Sequence, residues 1–161
     1  MSTSQVTTLR RALAFLVVVG VLLFPMSSAL AEGAITFTET FHNVTVSFPD
    51  VNPCTGIPGT VTITYNGVVH VTLLPNGTSH FTVTQTGNVV SVPDDPSLPT
   101  YIGNFTIWAG FNSNNQSEAG TNTFSVHVTG SDGSKLTFHI TEHFSVSASG
   151  VVNSFSKLRC G

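Results

Sequence analysis

Phe124-Ser125-Val126-His127-Val128-Thr129-Gly130-Ser131-Asp132-Gly133-Ser134-Lys135-Leu136-Thr137-Phe138-His139-Ile140 decides the fold class. Apolar residues alternate with Ser, Thr and His on both sides of a small polar turn, which is the pattern of two half-buried strands joined as a hairpin. A three-residue loop at 131–133 sets Phe124 against Ile140, Val126 against Phe138 and Val128 against Leu136. One face is then wholly apolar, and a slip of one residue would turn every side chain to the other face.

The same chemistry recurs outward from this hairpin. Pro75-Asn76-Gly77, Ala148-Ser149-Gly150 and Tyr65-Asn66-Gly67 each stand between strand-like runs and suit three-residue loops with glycine in the left-handed position. The loop at 75–77 pairs Val71 with Phe81 and Val69 with Val83; the loop at 65–67 would pair Ile63 with Val69 and Val61 with Val71, a glycine bulge in one long strand being its alternative. Strands are predicted over 34–48, 59–64, 68–74, 78–85, 88–92, 101–109, 122–129, 135–148 and 151–158. Proline removes residues 93–100 from any central strand, and the polar stretch 110–121 reads as a long loop. Short strands without helices between them specify an all-β antiparallel meander forming a small β-barrel, with a β-sandwich as the alternative.

The chain has 161 residues, and residues 1–31 read as a signal peptide. Arg10 and Arg11 precede an apolar run from Ala12 to Phe24, then Pro25 and a small-residue segment ending at Ala31. That run is shorter than the roughly twenty residues a membrane helix needs. Residues 32–161 are then a single secreted, extracellular all-β domain with no membrane span after cleavage. Its cations are Lys135, Lys157 and Arg159, outnumbered by the eight acids of the chain. So few and scattered basic residues give no footprint for nucleic acid. The two cysteines, Cys54 and Cys160, form an even pair that an oxidising compartment would close into a disulfide.

Asn52-Pro53-Cys54-Thr55-Gly56, Gly67-Val68-Val69-His70, Asn76-Gly77-Thr78-Ser79-His80 and the tail from Glu142-His143-Phe144 through Gly150 to Cys160 follow one another in an order that resembles a family of small secreted bacterial proteins of unknown function. The resemblance implies the early Cys-x-Gly motif, a bond from Cys54 to the terminal Cys160, and export. It departs at Ile57, where the family commonly has an acid, and it implies no activity.

Six histidines are the main candidates for chemistry. Alternation places His70, His80, His127, His139 and His143 on the Thr/Ser face, with His127 diagonal to His139 and His143 on the same strand face as His139. If the apolar face is the core, these histidines are solvated; if they line a cavity, they are candidate ligand or metal residues. Glu142 interrupts the apolar run between Ile140 and Phe144 and is a candidate buried acid, and Glu39 stands similarly between Phe37 and Phe41. No nucleophile or cofactor motif is present in the sequence. Trp108 falls on the polar side of its strand. The reading is a non-enzymatic binding or surface-associated module for a small hydrophobic ligand or a cell-surface component. The rival is a metal-dependent or acid–base enzyme built on the clustered histidines.

Overall fold

The computed structural model describes residues 33–161, so the signal peptide expected over 1–31 lies outside the described residues. Seven strands follow in order: β1 (Ile35–Val51), β2 (Pro58–Leu73), β3 (Ser79–Pro93), β4 (Tyr101–Ser113), β5 (Glu118–Gly130), β6 (Lys135–Val146) and β7 (Val152–Cys160). They form one antiparallel sheet in which each strand pairs with the next, in the order β1 to β7. The expected meander is present, whereas a sandwich would need a second sheet. No hydrogen-bonded ladder joins β1 to β7, so the sheet is not closed into a barrel. Among the described residues no helix is long and apolar enough to cross a membrane.

The sheet nevertheless curls. Flat, with strands about 4.8 Å apart, it would hold the β1–β2 connection more than 20 Å from β7. Instead Cys54 in that connection and Cys160 at the end of β7 are joined by a disulfide with their Cα atoms 5.9 Å apart. Phe105 is only 2% exposed although no second layer covers it. Its cover is the sheet itself. The core of Ile63, Tyr65, Val89, Phe105, Val126 and Val128 lies on the concave face, with Val44, Val46 and Phe48 of β1 packed against it. Gly87 and Gly103 lie in this region because of close approach: a β-carbon on Gly87 would come within 2.7 Å of the Tyr65 Cα, and one on Gly103 within 2.7 Å of the Val128 Cα.

Three of the four hairpin loops stand where the turn chemistry puts them. Leu74 N donates to Thr78 O (2.8 Å), Gly130 N to Ser134 O (2.8 Å) and Ser147 N to Val151 O (3.0 Å), each closing a three-residue loop. The registers follow, with Val71 opposite Phe81 and Val126 opposite Phe138. The fourth expectation is corrected. Asn66-Gly67 lies inside the continuous strand β2, and the irregularity is in its partner: His42 and Asn43 of β1 stand opposite the single Asn66. This is a β-bulge. Asn43 adopts φ 52°, and its N–H donates to Asn66 Oδ1 at 3.0 Å. Two further boundaries move. Strand β3 runs unbroken through Gly87, and the expected loop 110–121 shrinks to residues 114–117, because β4 and β5 extend across the rest and pair Phe111 with Gly120.

Candidate functional site

The register divides the concave face into rows that cross the whole sheet. Toward the disulfide end the rows are filled by the core. At the opposite end one row reads Phe37, Val71, Phe81, Phe111, Gly120, Phe144 and Ser154 from β1 to β7. The Phe111 and Phe144 rings lie 6.0 Å apart, meeting over Gly120, where a β-carbon would collide with the Phe144 ring. Glycine here makes room for the aromatic contact. Phe144 remains 38% exposed, and Val152 and Ile35 in the outermost row are 63% and 51% exposed. This end of the concave face is uncovered.

Immediately behind the aromatic row lies a row containing Glu39, Val69, Val83, Ala109, Asn122, Glu142 and Ser156. Glu142 is therefore on the apolar face, as alternation places it. Its carboxylate accepts from Asn122 Nδ2 (3.0 Å) and from Ser156 Oγ (3.2 Å). The other end of the Asn122 amide, Oδ1, is buried and has no hydrogen-bond partner. A buried acceptor left unpaired costs about 1–3 kcal/mol, so this atom is a place where a donor from a ligand would be favourable. Sequence reasoning did not single out Asn122, although it begins the predicted strand 122–129 and the predicted register, with Phe124 against Ile140, already sets it opposite Glu142.

The convex face carries the histidines. His70 is bonded through Nδ1 to Thr38 Oγ1 (2.8 Å), His143 to Thr121 Oγ1 (2.9 Å), and His80 to Asn112 Oδ1. His139 uses both nitrogens, on Ser125 Oγ (2.7 Å) and Thr141 Oγ1 (3.0 Å). His127 and His139 border a shallow groove of about 340 Å³ that Ser125, Thr137, Phe138 and Arg159 also line. His143 instead stacks on Phe155, ring centroids 5.7 Å apart. Among the described residues no three His, Cys, Asp or Glu side chains converge where a metal ion could be held. Trp108 is on this convex face and 43% exposed. Arg159, directly opposite His139, is a groove residue that sequence reasoning passed over. Its only signal is that it shares the outward parity of Lys157.

Comparison with protein families, curated proteins and solved structures gives no match for this chain. The reading of function therefore rests on the two surfaces just described.

Proposed function

We propose that this chain is an exported, non-enzymatic binding module that takes a small hydrophobic ligand at the uncovered end of its concave face. The observation that carries the reading is the row of Phe81, Phe111 and Phe144 beside the unpaired acceptor Asn122 Oδ1. An apolar concavity with a few placed polar groups is the usual form of a small-molecule site. In this reading the sheet works as a barrel left open along β1 and β7, as in barrels that enclose one ligand. The ligand has an apolar body for the phenyl rings and an N–H or O–H for Asn122. Export, and membership of the secreted bacterial proteins that the chain resembles, fit a disulfide, since such bonds persist in oxidising compartments. The rival enzyme reading has less support, because the histidines are spread over the convex face and, among the described residues, no three of them converge.

Titration with Nile red, a neutral apolar dye, tests the site. Saturable emission enhancement is expected, with affinity falling at least tenfold in Phe144→Ser and little changed in Trp108→Ser on the opposite face. Equal binding by the parent and Phe144→Ser would remove the reading.

A further inference from the structure

A second surface is defined by charge. Among the described residues the cations are Lys135, Lys157 and Arg159, and all three occupy outward positions of β6 and β7. The acids are elsewhere. Glu39, Asp50, Glu118 and Glu142 take concave-side positions, and Asp94, Asp95 and Asp132 lie in connections between strands. A chain with a formal net charge of −3 therefore presents one face on which no side-chain carboxylate opposes the cations. Neither Lys157 nor Arg159 has a side-chain partner among the described residues. In the groove that Arg159 lines, the Gly161 backbone oxygen accepts from Thr137 N (2.7 Å) and Thr137 Oγ1 (2.8 Å).

The register arranges these groups as a track. Going down the β6–β7 ribbon, the outward pairs are His139 with Arg159, Thr141 with Lys157, and His143 with Phe155. Successive outward positions on a strand are about 6.7 Å apart. The track begins at the groove of about 340 Å³, which Arg159 lines together with Ser125 and Thr137. It ends on Phe155, which is 55% exposed and braced from below by the His143 ring. A guanidinium fork matches the paired oxygens of a sulfate or phosphate group, and a lysine meets the next charge as a point cation. An exposed, stacked aromatic ring offers a flat apolar surface to the C–H face of a sugar.

We propose that the convex face of β5–β7 binds an anionic polysaccharide bearing sulfate or phosphate groups, with one charged group in the Arg159 groove, the next on Lys157, and a sugar ring on Phe155. The unpaired cations supply attraction, and the aromatic end distinguishes a glycan from a bare polyanion.

The test is calorimetric titration of the disulfide-bonded chain with dextran sulfate, neutral dextran and inorganic polyphosphate. Dextran sulfate is expected to bind, and at least tenfold more weakly in 250 mM than in 50 mM salt. The double substitution Lys157→Gln and Arg159→Gln, at two exposed positions, should lower affinity at least tenfold while leaving Nile red binding unchanged. Phe155→Ser should weaken dextran sulfate and leave polyphosphate unaffected. Unchanged dextran sulfate binding in the double variant, or an equal response of both polyanions to Phe155→Ser, would overturn the proposal.

Discussion

Replacing both cysteines, Cys54→Ser with Cys160→Ser, removes the one covalent tie between the β1–β2 connection and β7. The bond spans a sequence separation of 106, and for a loop of that size the chain-entropy relation gives about 4.8 kcal/mol at 25 °C. Small domains are stable by about 5–15 kcal/mol in total, so the loss is a large fraction of the whole. It should lower the thermal midpoint by roughly 10–20 °C in a domain of this size. The structure also says where the loss is felt first. The Cys54 side is held without the disulfide, since Asn52 Oδ1 accepts from Cys54 N (2.9 Å) and Thr55 N (3.2 Å), and Gly56 N donates to Asn52 O (2.8 Å). The Cys160 side depends on β6 alone: β7 pairs only with β6, Gly161 bonds to Thr137 of that strand, and all nine residues of β7 are exposed. Urea unfolding of the parent and the double variant measures the total, and amide exchange resolves the strand. A loss under about 1 kcal/mol, or exchange in β7 that is no faster than in the parent, would refute this account.

Three further outcomes are expected. Gly103→Ala should cost about 3 kcal/mol or more in urea unfolding, because the new methyl group meets the Val128 backbone, which cannot move without disturbing the β4–β5 ladder. Burial pushes the Asp50 carboxyl above its ordinary 3.8, against the hydrogen bond from Val51 N that lowers it. A carboxyl whose pKa is higher in the folded than in the unfolded chain binds more protons when folded, so its cost is full at neutral pH and fades as pH falls through the raised value toward 3.8. Asp50→Asn should therefore be more stable than the parent at pH 7, by a margin that shrinks in acid; a margin that grows in acid would reverse the assignment. Trp108, at 43% exposure, should emit at long wavelength and be open to acrylamide, and a blue, protected signal would mean that the convex face is covered.

What the sequence made legible depended on whether a feature shows in the apolar alternation. The hairpins at 75–77, 131–133 and 148–150 were legible because each loop brings apolar residues opposite apolar residues. Tyr65-Asn66-Gly67 has the same composition, yet Val61, Ile63 and Tyr65 on one side and Val69 and Val71 on the other keep the same odd-numbered phase through Gly67. A turn would not need to preserve that phase, whereas a single strand must. The extension of β4 and β5 into 110–121 was masked because their inward positions there include Ser113, Glu118 and Gly120 and their outward positions are Gly110, Asn112, Ala119 and Thr121. The pairing of Asn122 with Glu142 followed from the predicted hairpin register, but that the Asn122 amide oxygen is buried without a partner shows only in the structure. Glu142 itself was legible, as a break in an apolar run. Arg159 was not, since a lone cation in a strand carries no pattern until the register shows what stands opposite.

Why the sheet opens at one end follows from strand number and one irregularity. An antiparallel meander of seven strands leaves its two edges, β1 and β7, running in the same direction, so closing it would require a parallel ladder with a different hydrogen-bond spacing. The disulfide holds the two edges together at one end only. Bulges bend the strand that carries them, and the bulge at His42 and Asn43 divides β1 at this point. The residues beyond it, Val44, Val46 and Phe48, pack against the core, whereas Ile35 before it stays 51% exposed. Tie and bulge act on opposite halves of the same edge. One half of the concave face becomes a filled core that stabilises the domain. The other half leaves Phe144 exposed beside Phe111, and its aromatic surface can remain uncovered because the filled half maintains the fold.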